Sequence, residues 1–142
     1  MPRHTALKVR DIIMYDIIIV GAGAAGMTAA LNCRRAEKTV LVIEGENIGG
    51  QIAHSPKVEN FPSVKQMAGS EFSDKLFDQI TEWGADFEFD TVKAINKTAF
   101  GFKVQAEYGS YDGKSIILAT GVKHRTMGIE REEELVGHGV SY

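Results

Sequence analysis

Cysteine is almost missing from this chain. With Cys33 alone among 142 residues, no internal disulfide framework can form, and so thiol-poor a composition suits a reducing compartment. Histidines are few and scattered: His4, His54, His124 and His138 include no i, i+4 pair and no cysteine at ligand spacing, which argues against a zinc or iron site. A basic excess is missing too, and a net charge of −3 gives nucleic acid no footprint. No stretch reads as a membrane span or secretory signal, because the apolar run Ile12 to Val20 is short and carries Asp16. Cytoplasm is the default location. What remains is one domain with a moderate core, at 44% hydrophobic residues. Met1 to Asp11 is polar, basic and without periodicity, so residues 1–13 are set aside as a disordered tail or extension, with Met14 a natural start.

The informative stretch begins at Tyr15. Tyr15-Asp-Ile-Ile-Ile-Val20 reads as a strand that runs into Gly21-Ala22-Gly23-Ala24-Ala25-Gly26, then a helix ending near Lys38, then an apolar strand Thr39 to Glu44. Alone, a Gly-x-Gly-x-x-Gly string equally describes a turn that merely packs a helix on a strand. The strand before, the helix after, with Met27, Ala30 and Leu31 on one face, and the acid-tipped second strand together predict a dinucleotide site. Gly21 permits the tight turn, Gly23 lets the backbone approach a pyrophosphate, and Gly26 lets the helix lie on the sheet. The first amides of that helix favour an anion without any basic side chain. Glu44 is placed to accept hydrogen bonds from an adenosine ribose, and with no basic substitute near it in sequence a 2′-phosphate is not expected.

Beyond Glu44 the chain is loop-like through Gly45-Glu-Asn-Ile-Gly49-Gly50-Gln51 and irregular to Pro62, the paired glycines allowing a backbone to come close to something flat or charged. A helix follows with Ser70 as N-cap, an aromatic and aliphatic core stripe of Phe72, Leu76, Phe77, Ile80 and Trp83, and Gly84 as terminator. Short runs at Asp86 to Phe89, Thr91 to Ile95, Phe100 to Tyr108 and Ser115 to Ala119 come next. With turns at Asn96-Lys97 and Gly109 to Gly113, they predict a β-meander within an otherwise parallel α/β fold. Ile116-Ile-Leu-Ala119 shows no alternation, as expected of a strand buried on both faces, and it delivers Thr120-Gly121 to the sheet's carboxyl edge, where nucleotides bind. Cys33 reads as a small core residue and the acids Glu130 to Glu134 as a solvated turn.

Taken in order and spacing, Gly21 to Gly26, Ile48-Gly-Gly-Gln51, Val58-Glu-Asn-Phe-Pro62, Leu118-Ala-Thr-Gly121 and Gly137-His-Gly-Val-Ser-Tyr142 resemble the N-terminal FAD-binding part of bacterial-type thioredoxin reductases, the class II pyridine nucleotide-disulfide oxidoreductases. The resemblance implies a Rossmann-like FAD-binding fold. It also implies a glycine loop, with Ala24 and Ala25 at the helix start, that holds the FAD pyrophosphate. Glu44, Gly45, Gly49 and Gly50 then belong to a segment that wraps the adenosine. Gln51 and Asn60 lie near the isoalloxazine, and Thr120 and Gly121 near the middle of the cofactor. Read without the resemblance, Asn60 is a turn residue ahead of Phe61-Pro62, and Gln51 a solvated loop side chain.

The departures from that pattern are equally informative. In the family the Gly-Val-Ser-Tyr string leads into a Cys-x-x-Cys pair, a nicotinamide-binding domain with its own glycine fingerprint, and a segment that completes the FAD site; this sequence has none of them. The resemblance implies electron flow from a reduced nicotinamide through FAD to a disulfide and on to a thioredoxin-like partner, and implies that these residues alone hold at best the ADP half of FAD and do not reduce thioredoxin. Three readings stay open: a front piece of such a flavoenzyme, a stand-alone nucleotide-binding module that completes its site through self-association or a partner chain, and a chain ended at a UGA codon that its source reads as selenocysteine. Relatives that reduce other acceptors share the glycine loop and the Ala-Thr-Gly string. Glu59-Asn-Phe-Pro62 and the final Gly-Val-Ser-Tyr142 favour the thioredoxin reductase side, and the donor and the final acceptor are left open.

Overall fold

Four parallel strands and two antiparallel ones share one sheet in the computed structural model, which describes residues 13–141. The tail expected over residues 1–13 lies outside the described residues except for Ile13, and so does Tyr142. The elements run β1 (Met14–Val20), α1 (Ala24–Arg35), β2 (Val40–Glu44), a 3₁₀ helix (Gly50–His54), α2 (Gly69–Glu82), β3 (Asp86–Phe89), β4 (Val92–Thr98), β5 (Gly101–Ala106), β6 (Ser110–Leu118) and α3 (Glu132–Leu135). In space the strands lie in the order β3-β2-β1-β6-β5-β4. The pairs β3·β2, β2·β1 and β1·β6 are parallel, and β6·β5 and β5·β4 form the antiparallel meander. The Rossmann-like α/β expectation is borne out.

Unbroken apolar runs make the centre. Ile18 and Ile19 of β1 and Val40 to Ile43 of β2 are all buried, as expected for parallel strands covered on both faces. On one face Ile19, Val40 and Val42 pack with Met27 and Ala30 of α1 and Ile80 of α2. On the other, Ile18, Leu41 and Ile43 meet Val104 of β5, flanked by Val92, Ile95, Tyr111 and Ile116, so the meander supplies that side of the core. At the foot of the sheet Asp16 accepts hydrogen bonds from the amide (2.9 Å) and hydroxyl (3.0 Å) of Thr39 and from Lys114 Nζ (2.7 Å), joining β1, the start of β2 and β6. The Lys114 contact, then those of Thr39, hold its carboxyl well below the usual carboxylate range.

Several local expectations are corrected. Helix α1 stops at Arg35, where Ala36 and Lys38 turn back to hydrogen-bond its last carbonyls. Helix α2 begins at Gly69 rather than after a Ser70 cap. Its N-cap is Ala68, with no side-chain bond, because the start is pressed on the 3₁₀ helix: Gly69 N donates to Ser55 O, and a Cβ on Gly69 would lie 1.8 Å from Ile52 O. Trp83 lies past the helix end and is half exposed, so it is not part of the core stripe. Asn96-Lys97 is strand, not turn. Polar residues on an exposed edge strand looked like a turn, and the reversal comes at Ala99-Phe100. Gly113 likewise lies inside β6, where its missing side chain makes room for Ile18. β6 is not buried on both faces: Ile116 and Ile117 are half-buried and Leu118 is 67% exposed. Of the acids from Glu130 to Glu134, Glu132 is buried and accepts from the amides of Met127 and Gly128, so that turn is folded around a carboxylate.

Among the described residues, no helix is long and apolar enough to cross a membrane, and no group of three His, Cys, Asp or Glu side chains could hold a metal ion.

Candidate functional site

The carboxyl ends of β1, β2 and β6 meet the start of α1, and there the sequence builds a turn that only glycine can make. Gly21 has φ +108°, and a Cβ on it would sit 2.2 Å from Ala119 O, so the turn and the segment after β6 are in backbone contact. Gly26 faces inward from the first turn of α1, and a Cβ there would lie 1.9 Å from Gly21 O. Gly23 differs from both. Its backbone is extended, and an added Cβ would find only Gly49 O at 3.9 Å, because this glycine borders open space. Helix α1 starts after Gly23 with no side-chain cap and no acid in its first turn. The amides of its first turn have no intrahelical acceptor, which leaves them free to donate to a ligand.

The loop after β2 forms the second wall and is stitched to the first. Gly49 N donates to Ala22 O (2.7 Å), and Gly23 and Gly49 form a parallel bridge. Glu44 is fixed by the backbone: Oε2 accepts from Ala22 N (2.8 Å) and Oε1 from Glu46 N (2.8 Å). Each oxygen keeps lone-pair capacity for a further donor. The third wall is the segment after β6, where Gln51 Nε2 donates to Val122 O (3.2 Å) and Lys123 Nζ pairs with Glu46 Oε1.

These walls enclose a cavity of about 470 Å³, within the range of small-molecule sites. Gly23, Ala24, Ala25, Glu44, Gly49, Gly50, Gln51, Thr120 and Gly121, all expected from sequence, line it. A second cavity of about 180 Å³ adjoins it and shares Glu44, Glu46, Thr120 and Lys123; Gly21 and Gly45 open onto this one. Gly26 lines neither, being consumed by packing. Asn60 also lines neither and sits exposed on the loop between the paired residues Val58 and Met67.

Glu46 and Asn47, inside the segment Glu44 to Gln51 that the resemblance singled out, also line the larger cavity; sequence reasoning missed Ile52, His54, Val122 and Lys123 there and Asp90 to Val92 in the smaller one. The signal for the last three was available: they follow β3, and ligands of open α/β sheets gather at the carboxyl ends of strands. Lys123 gave no such signal. Lys123 shares both cavities with Glu44, a basic neighbour in space that nearness in sequence does not show.

Cys33 stands apart from the site, half-buried against the core of α1, and burial pushes its thiol pKa up, away from a reactive thiolate.

Known proteins share this arrangement. The thioredoxin reductase of Listeria monocytogenes is 41% identical over 129 residues, which are 91% of this chain and 40% of that protein. The crystal structure of thioredoxin reductase from Streptococcus pyogenes matches with a TM-score of 0.82 at 35% identity, over 92% of this chain and 43% of that one. The Lactococcus lactis thioredoxin reductase gives 0.80 at 37% identity, over 90% and 42%. The chain thus spans about two fifths of the length of the relatives it matches. The family pattern described as pyridine nucleotide-disulphide oxidoreductase matches residues 15–142, so the chain belongs to that family.

Proposed function

We propose that this chain is the adenosine-side FAD-binding portion of a thioredoxin-reductase-like flavoprotein. One observation carries the reading: the uncapped start of α1 and the backbone-fixed carboxylate of Glu44 open into the same cavity. The residues fit the group. Gly23 leaves free the space that a Cβ would fill, the amides of Ala24 and Ala25 supply donors for a pyrophosphate, and Glu44 supplies an acceptor for ribose hydroxyls. Gly45, Gly49, Gly50 and Gln51 continue around the adenosine toward the flavin, with Thr120 and Gly121 opposite. Asn60 comes to the ring only if its loop approaches the bound cofactor. When bound, FAD supplies two-electron chemistry between a reduced nicotinamide and a disulfide. The residues here bind and orient; with Cys33 alone they cannot form the disulfide themselves.

On this reading the whole protein takes electrons from a nicotinamide, reduces a thioredoxin-like partner and works in the cytoplasm. Calorimetric titration of the 142-residue chain with ADP and with FAD tests it. Saturable binding of both, weakened by Glu44→Ala, is the expected result, and no ADP binding would overturn it. NADPH-dependent disulfide reduction by this polypeptide alone would overturn the restriction to a binding role.

Val122, in the lining of the larger cavity, is 76% exposed and Leu118, two residues before Thr120, is 67% exposed, and this exposed apolar surface favours the second reading, a module that self-associates. Sedimentation velocity with and without FAD decides: a dimer that forms with FAD supports it, and a monomer in both removes it.

A further inference from the structure

Lys123 and Glu46 belong to different walls of the site, one after β6 and one after β2, yet their side chains meet in a hydrogen-bonded ion pair. Both residues line both cavities, together with Glu44 and Thr120, so the pair stands at the boundary between the larger and the smaller cavity. Gln51 Nε2 and Val122 O make a second contact between the same two walls. Lys123 is also the one lysine or arginine on either lining among the described residues.

A ligand long enough to occupy both cavities must cross that boundary. We infer that Lys123 and Glu46 form a clasp that closes over a bound nucleoside diphosphate and slows its release, a positioning role for two residues that take no part in the anion turn. The inference rests on the dinucleotide reading above.

The clasp need not exist before the ligand arrives. Both side chains are mostly exposed, so the pair opens and re-forms freely, and closing it costs no buried charge. Its effect therefore falls on the departure rate more than on encounter, and its size is that of an exposed pair, about two- to fivefold in rate. A pair of this kind is also weakened by salt.

The test is ADP release from the immobilised 142-residue chain, followed by surface plasmon resonance. Lys123→Ala should release ADP about two- to fivefold faster than the unmodified chain, and Lys123→Glu faster still. The exchange Lys123→Glu with Glu46→Lys should restore the slow rate. High salt should speed release from the unmodified chain and leave Lys123→Ala unchanged. Unaltered release in both single variants overturns the clasp while leaving nucleotide binding intact. Slower release in Glu46→Gln, with no rescue by the exchange, overturns it in favour of a direct Lys123–phosphate contact. Absence of ADP binding by the unmodified chain overturns the dinucleotide reading itself, and the clasp with it.

Discussion

Two glycines of one turn should fail in opposite ways when given a methyl group. At Gly26 a Cβ would stand 1.9 Å from Gly21 O and 3.3 Å from the Cβ of Ala119, the first far inside the about 3.5 Å at which non-bonded atoms settle. The obstructing atom is backbone held by the Gly21 N to Ile43 O bond of 2.8 Å, so the helix has to shift. Overpacking costs about 1–3 kcal/mol, and a clash against backbone belongs at the upper end; the helix-propensity gain of alanine over glycine returns about 1 kcal/mol. The net loss for Gly26→Ala is about 2 kcal/mol, or about 6–8 °C in melting temperature for a domain of this size. Gly23→Ala meets only Gly49 O at 3.9 Å on extended backbone. A slightly poorer cap, about 0.5 kcal/mol, is offset by a similar loss of unfolded-state entropy, so stability barely moves. On the proposed reading the methyl instead projects into the space a phosphate would take, and ADP affinity should fall at least about tenfold, or 1.4 kcal/mol. Differential scanning fluorimetry and calorimetric titration on the same samples separate the two effects. A Gly26→Ala protein that melts like its parent, or a Gly23→Ala protein that loses stability and keeps ADP, would refute the division into a packing glycine and a binding glycine.

The other predictions concern side chains. Glu44→Gln keeps the shape but weakens an acceptor that serves the turn and, on the proposed reading, a ribose, so ADP binding should drop about tenfold by calorimetry. Asp90 is buried and accepts from the amides of Thr91 (2.7 Å), Glu107 (3.0 Å) and Tyr108 (3.1 Å), tying the β3–β4 connection to the β5–β6 turn. Asp90→Ala should lower stability in urea by about 2–4 kcal/mol; an unchanged midpoint would show that the meander does not depend on this staple. Burial, then the hydrogen bond to Asp86, pushes the Tyr15 phenol up to about 12. A raised pKa means that the neutral form is favoured in the fold, so its contribution is complete below the ordinary tyrosine value of about 10 and is lost as pH rises to about 12. The melting temperature should fall across that interval, less steeply in Tyr15→Phe.

How far the sequence was legible follows from how local each determinant is. The turn from Gly21 to Gly26 and the acid at Glu44 were readable because strand, turn, helix and acid follow one another along the chain. Glu44 in fact accepts from Ala22 N, which ties the end of β2 to the glycine turn beside it. Boundaries were less legible where tertiary contact replaced a local signal. Ser70 has the right chemistry for a cap, but the demand for no side chain at Gly69 sets the helix start. Asn96 and Lys97 look like a turn because nothing in their polarity distinguishes an exposed edge strand from one. Lys123 was illegible for a different reason, since its relation to Glu44 and Glu46 exists only once β6 lies beside β1.

That pairing of β6 with β1 also links the meander to the proposed nucleotide site. β6 is antiparallel to β5 in its first half, from Ser110 to Gly113, and parallel to β1 along most of its length, from Asp112 to Leu118. One strand therefore anchors the hairpins that cover Leu41 and Ile43 and also carries Ala119 to the glycine turn, where its carbonyl fixes how closely Gly21 can approach. A change that slips β6 by one residue would exchange its faces, expose Ile116 and move Ala119 off the turn together. Stability of the meander and competence of the anion site are coupled through this strand. Asp90→Ala, which removes the staple between the β3–β4 connection and the β5–β6 turn and also alters a wall of the smaller cavity, should then weaken ADP binding as well. Undiminished ADP affinity in a measurably destabilised Asp90→Ala protein would show that the two halves of the sheet act independently.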